Sequence, residues 1–421
     1  MPHLAIAGGP PLLPQPQPRW RWPPPDDGTH HAIASYLAAH GPLSPRGAEG
    51  IIGECEVALA TRFGCTHALL CASGTMALYS AFAALGIAPG DEVLCPAITF
   101  HATATPLLHL GARVVLVDVE PDTGNIDPAA LAAAITPRTV AVVTNAMWGH
   151  PVEQEAVRAC CDRHRLAWVE DVSHAHGAIW HGRQVGTWGD ICCMSLGAEK
   201  MLTGGLGGAL LTSRRDLYER AVLVGNYLFR SRQRTDGGDI SDPRFAPLAR
   251  TGYGLKLSCH PLAAVVIRHQ LTHHFETWIA ERHASLQALR RDLADLPGLQ
   301  PPTIRAGVES MGAWYGFKPW IDSQSLGLSR QRIVAALQAE GIDIDVASSP
   351  PLHHLALFNG FPLPNGRTPQ TAPLGSFPAA ERYASGLLSV PTYTGARDEQ
   401  RRRELVAAFR KVWEHLDEIP R

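Results

Sequence analysis

Lysine is scarce in this chain. Only four of its 421 residues are lysine (Lys200, Lys256, Lys318 and Lys411), beside thirty-three arginines. A reaction that needs a neutral amine therefore has few candidates. Charged residues make up 18% and the net charge is −2. That balance excludes a global basic field able to recruit nucleic acid or an anionic membrane. No segment approaches the roughly 20 apolar residues of a membrane span, and the N-terminus lacks the charged-then-apolar pattern of a secretory signal. The nine cysteines are an odd count with no C-x-x-C spacing. Several lie inside apolar runs, such as Ile191-Cys192-Cys193-Met194. They read as reduced, buried thiols of a cytoplasmic protein rather than a disulfide frame.

What is present is alternation. Between about residues 49 and 212, short apolar runs (91–95, 113–118, 140–144, 166–170, 191–196, 209–212) alternate with helical periodicity (49–63, 74–85, 101–110, 128–135, 152–165). Near-continuous apolar strands separated by helices predict an α/β fold with a mostly parallel sheet covered on both faces. Ligands of such sheets bind beyond the carboxyl ends of the strands. The proline-rich start, with Trp20 and Trp22 set between arginines, reads as an extended arm or a loose tail. Residues 213–260 look less regular, with an exposed loop over 230–244. Residues 260–296 read as one long helix leading into a smaller α+β unit with helices near 330–340 and 399–416. The expected division is an arm and first helix over 1–45, a large domain over 46–270 and a small C-terminal domain over 271–421.

Three motifs converge on the strand ends. Ser73-Gly74-Thr75 precedes a helix, where free N–H groups and the helix dipole favour a phosphate, although such a triplet is more often a plain cap. Asp171 ends an apolar run, suited either to hold a pyridine nitrogen in its protonated form or to cap a turn. Ser195 and Lys200 stand five apart on the turn after another strand, ahead of Gly204, Gly205, Gly207 and Gly208. An acid at a strand end followed by a Ser-x4-Lys turn is what pyridoxal phosphate (PLP) requires: a partner for the ring nitrogen, one for the phosphate, and an amine for the imine. His174 is placed to donate to, or stack near, the ring oxygen. Phe100 either stacks on the pyridine or fills the core. His174 and His176 have no cysteine or carboxylate at ligand spacing, so no metal is assigned.

These motifs resemble the DegT/StrS-type family of PLP-dependent sugar and cyclitol aminotransferases. The resemblance runs from about residue 45 to 395. It is carried by Cys71-Ala72-Ser73-Gly74-Thr75-Met76-Ala77-Leu78, Gly90-Asp91-Glu92-Val93, Thr99-Phe100, Gly149-His150-Pro151, Glu170-Asp171-Val172-Ser173-His174-Ala175-His176-Gly177-Ala178, the run from Ser195 to Gly208, Pro351-Leu352-His353 and Leu388-Ser389-Val390-Pro391. It implies PLP fold type I, with a seven-stranded large domain, a small C-terminal domain and a homodimer with shared active sites. It implies Lys200 as imine-forming lysine and proton shuttle, Asp171 on the pyridine nitrogen, His174 on the ring oxygen and Phe100 on the ring face. Gly74, Thr75 and Ser195 would hold the phosphate. His353 is a candidate substrate contact. The chain departs from the family at Leu206, where an acid is customary, and at Gly254, where an asparagine is.

The activity implied is transfer of an amino group from glutamate or glutamine to a keto-sugar or keto-cyclitol in a secondary-metabolite pathway. The alternatives are another PLP-dependent carbanion reaction, such as dehydration, elimination or a C–C bond reaction, and a non-catalytic sugar-binding sensor. The related sugar 3-dehydratases carry histidine where Lys200 stands, which counts against that version of the first alternative.

Overall fold

The unbroken apolar runs become strands buried on both faces. A computed structural model describes residues 3–24, 26–45, 47–227, 230, 240–248, 250–363, 366–369 and 371–420. Its central sheet has seven strands: β1 (His67–Cys71), β2 (Glu92–Pro96), β3 (Arg113–Val117), β4 (Thr139–Asn145), β5 (Ala167–Asp171), β8 (Ile191–Ser195) and β9 (Gly208–Thr212). A small hairpin, β6 (Ile179–Trp180) and β7 (Arg183–Gln184), lies between β5 and β8. The spatial order is β1-β9-β8-β5-β4-β2-β3. β9 runs antiparallel to β1 and β8, and the remaining pairs are parallel. The sheet is therefore mostly parallel, as the sequence predicts.

The helices of this half are α1 (Asp27–Ala38), α2 (Gly50–Phe63), α3 (Gly74–Ala84), α4 (Thr105–Leu110), α5 (Pro128–Ala134), α6 (Gln154–His164) and α7 (Arg215–Gly225). Strand alternation distributes side chains to two apolar layers. Cys192, Met194 and Leu211 join Ile52, Leu59 and Phe63 of α2 on one face. Cys193 and Leu210 join Leu78 and Phe82 of α3 and Val222 of α7 on the other. Burying a side chain such as Phe82 contributes about 1.5–3 kcal/mol, so each layer fixes its helix firmly. All nine cysteines are free thiols. No helix among the described residues is long and apolar enough to cross a membrane.

Three expectations need correction. The single helix expected over 260–296 is two, α8 (Pro261–His273) and α9 (Phe275–Asp292). His274 leaves helical geometry at φ −127°, its Nε2 lies 3.1 Å from Asp26 Oδ2, and its ring stacks on Trp278. The stretch after 213 contains α7, whose Leu217, Ala221, Val222 and Val224 are buried. The loop expected over 230–244 lies partly outside the described residues at 231–239. Arg230 itself is buried rather than exposed, and it pairs with the Glu56 carboxylate at 2.7 and 2.9 Å.

The arm is seated rather than loose. The Ala5 and Leu12 amides donate to Glu340 at 2.9 and 2.7 Å, Trp20 N donates to Asp343, and the Arg282 guanidinium lies 4.1 Å from the Trp22 ring centre.

Candidate active site

Three strand ends meet one helix start. Register sets Gly208 beside both Ser195 at the end of β8 and Cys71 at the end of β1. Ser73-Gly74-Thr75 then passes over the sheet edge into α3. Ser73 caps that helix, its Oγ accepting from Met76 N at 3.2 Å. Gly74 and Thr75 supply first-turn amides that have no acceptor one turn back, and the helix dipole adds positive potential there. Crowding explains two of the glycines. A Cβ on Gly74 would stand 2.8 Å from Ser195 Cβ, and one on Gly208 would stand 2.3 Å from the Ser73 carbonyl carbon and oxygen. The result is a close cluster of N–H groups beside the Ser195 hydroxyl, a chemistry that attracts an anion. The Ser195 Oγ already accepts from Gly197 N at 3.3 Å.

Asp171 closes β5 and is 8% exposed. Its Oδ2 accepts from Thr103 Oγ1 at 2.8 Å and its Oδ1 from Ser173 N at 3.0 Å. Glu170 points to the opposite side of the strand, where the amides of Gly186, Trp188 and Gly189 donate to it at 3.0, 2.8 and 2.6 Å. Of this acid pair only Asp171 belongs to the cleft. Glu170 staples a loop.

Lys200 stands on the turn beyond β8. Its own N–H donates to Gly197 O at 3.0 Å, and Trp22 Nε1 donates to its carbonyl at 3.1 Å. Its Nζ lies 3.5 Å from the centre of the Tyr315 ring. Burial lowers the amine from its ordinary 10.5 to about 7, against the opposing pull of Asp171 and Glu199. Near neutral pH a large fraction of it is therefore an unprotonated nucleophile and base.

His174 is held in a three-ring stack. Trp148 and Tyr315 flank it at 5.3 and 4.3 Å with interplanar angles of 8° and 10°. Burial, then the positive charges of Lys200 and Lys318, keep its pKa well below 6.5. The neutral ring accepts from Trp148 N at 3.4 Å through Nδ1. Trp148 adopts φ +56°, a conformation that costs a bulky residue about 1–3 kcal/mol. The stack is thus held at the expense of backbone strain.

Phe100 is 60% exposed where the chain leaves β2, so it is not a core aromatic. His353 corrects the expectation of a substrate contact. It is fully buried, with Nε2 2.8 Å from Glu381 Oε1 and its ring against Phe377, a packing position with no open face. Leu206 is 67% exposed, and Gly254 has φ +89°, a backbone that favours glycine over asparagine. Thr103, Trp148 and Tyr315 were not singled out from sequence. Thr103 follows Phe100 by one helical turn, a spacing that points back at the strand ends. No local signal marks the two rings.

A doubly covered α/β sheet with a desolvated lysine, a buried carboxylate and an anion cradle beyond its strand ends defines a fold type I transferase. The chain belongs to the DegT/DnrJ/EryC1/StrS aminotransferase family, whose family model matches residues 51–409. It is 32% identical over 435 residues to the L-glutamine:2-deoxy-scyllo-inosose aminotransferase of Streptoalloteichus tenebrarius, covering 99% of each chain. Its fold matches the X-ray structure of an aminotransferase from Psychrobacter cryohalolentis at a TM-score of 0.82 and 25% identity, over 95% of this chain and 100% of that one. S. venezuelae DesV, solved in complex with a ketimine intermediate, matches at a TM-score of 0.76 and 29% identity, over 92% and 95% of the two chains. The protein is an aminotransferase of fold type I, as the sequence implies.

Proposed function

We propose that the enzyme uses PLP to move an amino group from glutamate or glutamine to the ketone of a sugar or cyclitol in a biosynthetic pathway. The residues fit the cofactor. The Gly74 and Thr75 amides with Ser195 offer a phosphate cradle whose tightness a single Cβ would destroy. Asp171 offers a buried carboxylate for the ring nitrogen, His174 a neutral imidazole for the ring oxygen, and Phe100 an exposed face for the ring. Lys200 offers the point of covalent attachment. When bound, PLP supplies an electron sink that makes the donor's α-hydrogen acidic.

The chain's own residues supply the rest. The Lys200 Nζ, poised near pH 7, takes a proton as the neutral amine and returns it as the ammonium. The Tyr315 ring beneath it steadies the charged form. Thr103 and Ser173 hold the Asp171 carboxylate in one orientation, and the Trp148–His174–Tyr315 stack excludes water from one wall. The single observation that carries this reading is the desolvated Lys200 amine within the field of Asp171.

A homodimer completes the reading. Ala72 N donates to Leu257 O at 2.7 Å, which sets the 253–257 segment beside the cradle. There Tyr253 is 57% exposed and Leu255 39% exposed. A second subunit seated on these residues and on Leu206 would cover them and close the cleft.

The 32% identity over nearly the whole chain to an enzyme named for a cyclitol ketone supports the substrate class. The test is a single turnover. The aminated cofactor form of the enzyme is offered a panel of keto-sugars and keto-cyclitols, and products are read by mass. Borohydride reduction of the holoenzyme should label the Lys200 peptide. Label on Lys256 or Lys318 instead, or no aminated product from any ketone, would overturn the proposal.

A further inference from the structure

A second lysine stands at the same ring stack, and nothing in the reaction described so far uses it. Lys318 lies on the strand-like segment that carries Tyr315, where Phe317 bridges Val390. Its Nζ is 4.7 Å from the centre of the Trp148 ring and donates to Ser389 Oγ at 2.6 Å. The stack therefore carries Lys200 on its Tyr315 member and Lys318 on its Trp148 member. The two ammonium groups are close enough that both act on His174 between them.

Among the described residues Lys318 is left without an ion-pair partner, and Asp122, which lines the same cleft, is held by Arg305 at 2.7 Å. An ammonium has three N–H donors, and the one described hydrogen bond goes to a neutral hydroxyl. Among the described residues no carboxylate lies within ion-pair distance of it. The nearest acids by influence are Asp345 and Glu199. Asp345 is already taken by Arg19 at 2.8 Å. Burial depresses the Lys318 amine to about 8, which leaves it mostly charged at neutral pH. A largely buried cation without a counter-ion is costly to keep unless a ligand supplies one. Gly316 keeps this wall open, since a Cβ there would stand 2.7 Å from the Trp148 ring and 2.8 Å from Lys318 Cε. Trp148, Gly316 and Lys318 share one narrow cleft.

We propose that Lys318, presented beside Trp148 and held by Ser389, binds a carboxylate of a reactant and so sets which reactants the enzyme accepts. This rests on the transamination reading above. Two reactants can bring a carboxylate: the α-amino acid donor, or an acceptor ketone that bears an acid. The site is the same for both.

The experiment measures the two half-reactions separately in holoenzyme, parent and Lys318→Met, with Lys318→Arg as the charge-retaining control. Donor probes are L-glutamine, L-glutamate and their α-amides, which lack the α-carboxylate. Acceptor probes are keto-cyclitols and keto-sugars with and without a carboxyl group.

If the donor is the source, Lys318→Met raises the KM for L-glutamine by about ten- to a hundred-fold, the size of a lost charge-assisted hydrogen bond. It leaves the α-amide's constants unchanged, and Lys318→Arg recovers part of the loss. If the acceptor is the source, the same loss appears only with carboxylated ketones. If every constant in Lys318→Met stays within a factor of three of the parent, the inference is wrong.

Should Lys318→Met not fold, the parent alone decides. An α-amide that reacts as well as L-glutamine, together with a carboxyl group that gives no advantage among ketones, also overturns it. A parent that exchanges no amino group at all removes the transamination reading, and this inference with it. An active parent with an indifferent Lys318 removes this inference alone.

Discussion

Replacing Lys200 by methionine should make the cofactor-free protein more stable. Methionine keeps the apolar stem and removes the ammonium. In an unfolded chain the amine titrates near its ordinary 10.5, and in the folded cleft near 7, so at neutral pH folding must expel much of a proton. At about 1.4 kcal/mol per pH unit, this penalty is about 4–5 kcal/mol and fully present below pH 7. It shrinks as pH rises from 7 towards 10.5, because the unfolded chain then loses the same proton. Loss of the contact with the Tyr315 ring returns about 0.5–2 kcal/mol to the parent. The net expectation is that Lys200→Met gains about 2–4 kcal/mol at pH 7, with a gap that narrows by about 1.4 kcal/mol per pH unit up to pH 9.5. Denaturant melts of both cofactor-free proteins at pH 7.0, 8.5 and 9.5 measure it. Equal stability at pH 7, or a gap that ignores pH, would show that the amine is solvated and the argument for a poised base unsound.

Asp171→Asn should retain cofactor but lose at least about a hundred-fold in turnover, because the ring nitrogen loses its charged partner. Near-parent kcat would contradict that role. Thr103→Val removes the 2.8 Å donor to Asp171, and kcat should fall about ten-fold without loss of folding, as read by steady-state kinetics and circular dichroism. Gly208→Ala drives a methyl into the Ser73 carbonyl at 2.3 Å. The strand or the helix start must give by about 1 Å, which weakens the cradle about a hundred-fold. A PLP titration with parent affinity would count against the phosphate assignment.

The sheet was legible because its strands are covered on both faces, and that cover leaves no polar alternation to confuse the apolar run. Asp171, Ser195 and Lys200 were legible because strand ends are where a chain changes character abruptly. The break at His274 was not, since its cause is Asp26, a residue far away in sequence. Arg230 looked solvated because its partner Glu56 is 174 positions distant. Tyr315 and Trp148 were invisible for the same reason: each is an ordinary aromatic in its own neighbourhood and becomes part of a wall only when the fold stacks both on His174. His353 misled in the opposite sense. A histidine in a Pro-His loop carries the signature of a contact residue, but its loop is folded inward on Glu381.

The seated arm has a mechanical consequence. It starts at Glu340 and Asp343 and finishes with the Trp22 indole on the backbone of Lys200 itself. Any shift of the 340–343 segment is therefore transmitted as a tug on the turn that bears the reactive amine. Trimming or tagging that strap for expression would retune chemistry performed almost two hundred positions downstream.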